Sequence, residues 1–180
     1  MTQPDWYEQL PSARTLWRAL RTPVFDPSDY PHPEMVAAAV GLLDAHYRHK
    51  AAVDQLTRIT QSSTQIEEGE WRVVSDFFAE ASRDIAALIA RVDTFAHHRV
   101  LALGLDSSLA AMHPCGLGTV LTRHIRRWAL ATAQTGTLIP SSTALTILVE
   151  EASGYNRLVE QVITGQVHLP APARTARTLS

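Results

Sequence analysis

PEMVAAAVGLLDAHYRHKAAVDQLTRIT, residues 33–60, decides the fold. Val36, Val40, Leu43, Tyr47, Val53 and Leu56 recur at near-heptad spacing, which puts one apolar line along a helix. Pro33 suits the first turn, where its missing N–H costs nothing. A helix of about seven turns is predicted, and its apolar line needs helical partners to bury it.

Working outward, the rest of the chain supplies them. Upstream, Ser12 is placed to cap ARTLWRALR, where Leu16, Trp17 and Leu20 share a face. TPVFDPSDYPHP then carries Pro23, Pro27, Pro31 and Pro33 and cannot be helical. Phe25 and Tyr30 are expected to pin this arm across the bundle. Downstream, QSSTQ reads as a linker. A third helix starts within EEGEW, with Gly69 as its weak point, and presents Phe77, Phe78, Ile85, Leu88, Ile89, Val92 and Phe95. Gly104 and GLDSS stop it. A fourth helix spans about 116–135, ended by Gly136. A fifth follows a Ser141 or Ser142 cap and ends with Gly165 at C′. Strand signals are nearly absent. The tail QVHLPAPARTARTLS lacks periodicity and is expected to be mobile. The fold expectation is all-α: an antiparallel bundle of four long helices, with an irregular N-terminal arm (1–32) carrying one short helix. Residues 1–170 are expected to form one domain, and 171–180 a flexible tail.

Composition narrows the function classes. The 180 residues, 46% hydrophobic and 19% charged, suit one globular domain. A net charge of −2 argues against a nucleic-acid partner. No apolar run approaches a membrane span. MTQPDWYEQL lacks a basic n-region and an apolar core, so a signal peptide is not predicted. One cysteine builds no disulfide framework, and the expected localisation is cytoplasmic. Lys50 is the sole lysine among 16 basic residues, which reads as codon bias of a GC-rich, for instance actinobacterial, genome.

The chemistry-bearing residues concentrate in AMHPCGLGTVLTRHIRRWALA, 111–131. Arg123 and Arg127 share a face at i, i+4. The amides of the Gly116–Gly118 turn open the same helix at its positive end, so the two together are equipped for a carboxylate or phosphate. The competing reading is an ion-paired face, with Glu150, Glu151 and Glu160 as partners. Cys115 at a helix start would have a depressed pKa, with His113 as a neighbouring base; it reads equally as a small buried hydrophobe. Glu151 and Tyr155 at i, i+4 would make an acid/base pair facing a cleft, or a core hydrogen bond. His46 with His49, and Asp93 with His97, have ligand spacing, but no Glu-x-x-His pair of the di-iron type occurs. A solvated polar face explains the first pair. His97 and His98 suit the negative end of a helix. No Walker loop or dinucleotide fingerprint is present.

SRDIAALIARVDTFA, MHPCGLGTVLTRHI and ASGYNRLVEQVITGQVHLP, taken together, resemble an uncharacterised family of all-helical bacterial proteins. That family carries a His-Thr-Glu-Thr/Ser-Leu-Gly loop followed by a helix reading Ile-Asp-Arg-Leu. The resemblance covers roughly 82–170. Val92-Asp93 match its Ile-Asp pair, and His113, Leu117, Gly118 and Arg123 match the loop and helix. Pro114, Cys115 and Gly116 replace its Thr-Glu-Thr, and Thr122 replaces its Asp. The resemblance implies a setting in natural-product clusters.

The resulting expectation is a small cofactor-independent enzyme of bacterial specialised metabolism. It would perform acid/base isomerisation, cyclisation or elimination on an anionic small molecule. His113, Tyr155 and Glu151 would be catalytic, and Gly118, Arg123, Arg127 and Trp128 would bind substrate. No cofactor and no metal are expected, and a homodimer is compatible with long bundle helices. The alternatives are an accessory or scaffold protein that binds a partner enzyme, and a metal-dependent helical-bundle oxygenase. The enzyme expectation requires a pocket on the order of several hundred Å³ on which His113, Arg123 and Tyr155 converge. The accessory alternative requires a large exposed apolar patch.

Overall fold

The structure, a computed structural model, describes residues 9–61, 68–105, 110–135 and 140–172. It is mostly helical. Five α-helices run in order, α1 (Ala13–Leu20), α2 (Pro33–Gln61), α3 (Glu68–Ala102), α4 (Leu117–Thr135) and α5 (Ser142–Ile163). A 3-10 turn at Pro27–Asp29 interrupts the arm. Two short strands, β1 (Ala111–Met112) and β2 (Val167–His168), pair in parallel.

The expected stop and start signals act through their backbone chemistry. Ser12 Oγ accepts the Thr15 N–H at 3.2 Å and caps α1. Ser141 caps α5 by accepting from the Ala144 N–H. Gly104 and Gly165 both lie at positive φ, 65° and 69°. Each allows the reversed backbone that closes a helix: Gly165 N–H reaches Val162 O, and Gln166 N–H reaches Gln161 O at 2.8 Å. The expected stop at Gly136 lies outside the described residues, as does most of QSSTQ.

The central layer is α2 against α3, with α4 packed on both. α5 packs on α4 and on α1, and α1 fits between α2 and α5. The buried line of α2 differs from the heptad reading. Met35, Val36, Ala39, Leu42, Leu43 and His46 are buried, whereas Val53 is exposed. A straight helix has 3.6 residues per turn, so a 3.5-residue line drifts off the contact face over several turns. In α3, Val74, Ala81, Val92, Ala96 and Val100 are buried among the described residues, and most of the predicted apolar stripe is half-buried.

The arm is held by side chains distant in sequence. Ala13 N–H donates to Asn156 Oδ1 at 2.9 Å, and Tyr155 Oη donates to Pro11 O at 3.0 Å. The Arg99 guanidinium binds Gln9 through both its carbonyl and its side-chain amide. Phe25 and Tyr30 pack together, ring centroids 5.7 Å apart, against the core.

The tail expectation needs correction. Residues 167–169 pack on the body: β2 pairs with β1, His113 N–H donates to His168 O at 2.7 Å, and Val167 and Leu169 pack on the core. Residues 173–180 lie outside the described residues. No described helix is long and apolar enough to cross a membrane.

Tyr155 tests how the arm is fastened. Tyr155→Phe should keep the packing and lose one hydrogen bond to a buried carbonyl, about 1 kcal/mol. Tyr155→Ala should cost about 4 kcal/mol through the cavity it leaves. Urea melts of the two variants give the difference directly. Equal losses would show that the phenol contributes only through its hydroxyl.

Candidate functional site

Of the residues expected to form one site, Glu151 and Arg127 meet in an ion pair at 2.5 Å, and the others are dispersed. Tyr155 is 1% exposed, and burial raises its pKa well above the phenol range. Its hydroxyl is committed to Pro11 O, so it fastens the arm and faces no cleft. Trp128 is also buried, tilted against Trp17 at 5.6 Å. His113 lies in the turn before α4, its Nδ1 2.6 Å from Cys115 O. Cys115 Sγ is 3.8 Å from that same nitrogen, which already has the carbonyl as its nearer partner. Arg123 is exposed on α4. His113, Arg123 and Tyr155 line none of the clefts described below.

The positive start of α4 does hold an anion, but the anion belongs to the chain. Gly118 N–H donates to Asp93 Oδ1 at 2.6 Å. A Cβ on Gly116 would overlap the Asp93 carboxylate, and one on Gly118 would overlap the Ile89 carbonyl oxygen. The glycines therefore let α4 start directly against α3, with Asp93 in the anion position. Burial raises the Asp93 pKa, and the Gly118 N–H partly counters this. Asp93 and Gly118 are thus partners in one hydrogen bond. The His97 ring lies beside that of His98.

His46 and His49 do not act as a ligand pair either. His46 is buried, with Nε2 2.9 Å from Thr122 Oγ1. Its pKa is lowered to about 4 by burial, then by the charges of Arg126 and His49. His49 packs against Phe78 at 4.6 Å. Among the described residues, no group of three or more His, Cys, Asp or Glu side chains could hold a metal ion.

Two features stand out once these residues are placed. The first is a groove of about 800 Å³ along α1, lined by Arg14, Arg18, Arg21, Trp17, Tyr30 and Asp29, with the hydroxyls of Ser12, Thr15 and Thr22. The arginines fall at i, i+4 and i+7 and therefore share one face of α1. Leu16, Ala19 and Leu20 hold the opposite face in the core. Arg18 lies over the Tyr30 ring at 5.6 Å. Among the described residues, no carboxylate forms an ion pair with Arg14, Arg18 or Arg21. The other clefts differ. One of about 480 Å³ on α3 sets Glu34 among its lining with Arg91 and His98. Another, of about 120 Å³, lies beside His46 and Arg126.

The second feature is a polar chain behind the groove. Trp17 Nε1–H donates to His124 Nε2 at 2.5 Å, the two ring planes parallel to within 6°. His124 Nδ1 lies 3.6 Å from Glu151 Oε2, and Glu151 Oε1 pairs with Arg127 at 2.5 Å. Burial, then the Arg127 charge, lowers the His124 pKa to about 4. Burial raises that of Glu151, against the pull of Arg127. Sequence reasoning assigned no role to His124 or to Arg14, Arg18 and Arg21. The arginine face was readable from ARTLWRALR; the partners of His124 were not, because they lie on other helices.

No protein-family model, curated protein or solved structure matches the chain.

Proposed function

We propose that the protein binds an anionic small molecule in the groove along α1, with Arg14, Arg18 and Arg21 as its charge partners. One observation carries this reading: three arginines on one face, none paired with a carboxylate among the described residues, line a groove of about 800 Å³. Pockets of several hundred Å³ are the usual size for small ligands. Trp17 and Tyr30 add flat apolar surface to the same wall. The reaction class that suits this equipment is cofactor-independent acid/base isomerisation, cyclisation or elimination. Asp29 is the carboxylate in the groove available as a base. In this reading the substrate site moves from Arg123 and Arg127 to the arginines of α1.

The accessory reading would need a contiguous apolar patch. The exposed large apolar residues Val24, Val53, Trp71, Val73, Leu101, Met112, Leu130, Ile147 and Val149 come from the arm, α2, α3, β1, α4 and α5, and Val53 and Leu130 share one cleft. We read the four long helices as an antiparallel bundle, supported by their successive pairing, α2 with α3, α3 with α4 and α4 with α5.

Calorimetric titration with mono-, di- and trianions, among them phosphate, pyrophosphate, citrate and aromatic carboxylates, tests the binding reading. Multiply charged ligands should bind best, and more weakly at high salt. The combined Arg14→Ala, Arg18→Ala, Arg21→Ala variant should lose at least about 100-fold in affinity, since charge-assisted hydrogen bonds contribute about 1.5–3 kcal/mol each. Undiminished affinity in that variant would remove the groove as the site.

A further inference from the structure

We propose that His124 is a positioning residue for the α1 groove: it holds the Trp17 indole against the groove wall, and protonation of its imidazole releases it. The inference rests on the groove reading above, but its geometry stands apart from any ligand.

Trp17 lines the groove and carries a hydrogen bond into the interior, to His124 on α4. The indole N–H reaches Nε2 at 2.5 Å, with the two ring planes parallel to within 6°. A neutral imidazole has one donor and one acceptor nitrogen. Because Nε2 accepts, the proton sits on Nδ1, facing Glu151 Oε2 at 3.6 Å. Neither Nδ1 nor Oε2 has a closer partner, although both are buried. His124 itself is only 3% exposed.

A second proton on His124 changes the sign of one contact. Both ring nitrogens become donors, and Nε2–H then meets the indole N–H head on. Two donors cannot share one hydrogen bond, so Trp17 must rotate away or α1 must lift. The charged groups facing the ring decide how easily the proton arrives. Glu151 approaches from α5 and favours it; Arg127, on the same helix as His124, opposes it; α1 contributes only the uncharged indole. Burial adds to the opposition, so the indole stays docked through neutral pH. Arg127 is 57% exposed, so the chain Arg127–Glu151–His124–Trp17 connects solvent on one side to the groove on the other.

The test follows the indole N–H resonance of Trp17, assigned by its loss in Trp17→Phe, together with titration by inorganic pyrophosphate. In the unaltered protein, acidification from pH 7 to 4 should shift that resonance in step with the His124 imidazole. His124→Leu, which cannot accept, should move it upfield by about 1 ppm or more and weaken pyrophosphate binding at least 5-fold. His124→Gln, whose amide oxygen can accept, should restore both. Glu151→Gln should lower the pH at which the resonance moves. A Trp17 resonance indifferent to His124→Leu, or titrating independently of His124, overturns the proposal. Should His124→Leu fail to fold, the acid titration of the unaltered chain decides alone. If pyrophosphate fails to bind while the indole still follows His124, the positioning role survives and the groove reading falls.

Discussion

Acidification from pH 7 to pH 4 should lower stability by at most about 6 kcal/mol, a large part of the usual total of about 5–15 kcal/mol. The cause is two histidines buried in neutral form. His46 and His124 each have a folded pKa of about 4 against 6.5 in the unfolded chain. Between those values the unfolded chain binds more protons, so stability rises with pH across the window. The contribution is fully present above pH 6.5 and is lost as the pH falls toward and through 4. Each histidine accounts for about 3 kcal/mol at pH 4, from about 1.4 kcal/mol per unit of pKa difference. Asp93 and Glu151 act in the opposite sense. Their folded pKa values are raised, so they take up protons more readily when folded and offset part of the loss. Urea melts at pH 7, 6, 5 and 4 give the slope. His46→Gln and His124→Gln should each flatten it by about half, even where they lower stability at pH 7. A stability independent of pH over this range would mean that neither imidazole is buried as a neutral partner.

These two histidines also show what a sequence can and cannot reveal. The ends of the helices were legible because caps act locally: Ser12, Pro33, Gly104, Ser141 and Gly165 each work within a few residues of their own backbone. The apolar periodicity of α2 and α3 required partner helices before any partner was known. His46 looked like part of a solvated face because Asp44, Arg48, Lys50 and Asp54 surround it in sequence. Those charges pair with one another or with Asp84 at the surface, and His46 turns inward to Thr122. His124 had no legible role because Trp17 lies 107 positions away and Glu151 on another helix. The strand pair was invisible for a similar reason: two residues cannot show alternation, and β1 and β2 are joined across more than fifty positions. At 116–118 the physics was read correctly and the occupant was not. Glycines at a helix start do favour an anion, and Asp93, 25 positions upstream, supplies it.

That contact makes Gly118→Ala a strongly damaging substitution. Gly118 is where α4 starts against the backbone of α3, and the added carbon would overlap the Ile89 carbonyl oxygen. Neither atom is the end of a flexible side chain, so relief requires the two helices to separate. Overpacking of this kind costs about 1–3 kcal/mol, more when backbone must move. Separation also draws the Gly118 N–H away from Asp93, leaving a half-buried carboxylate without its donor, which adds about 2 kcal/mol. A total loss of about 4 kcal/mol is therefore expected in urea unfolding. Gly154→Ala provides the contrast. Its position in α5 has nothing within 4 Å of the added carbon and no positive φ. Removing glycine from an exposed helix interior should stabilise the chain by about 0.5–1 kcal/mol. Asp93→Asn separates the two components at the α4 start. It keeps an acceptor for Gly118 and relieves the desolvated charge, so its loss should be small and its stability should no longer carry the Asp93 pH dependence. If Gly118→Ala proves as stable as Gly154→Ala, α3 and α4 do not cross at the distance seen here, and the anion position at the start of α4 would be open after all to a ligand from solution.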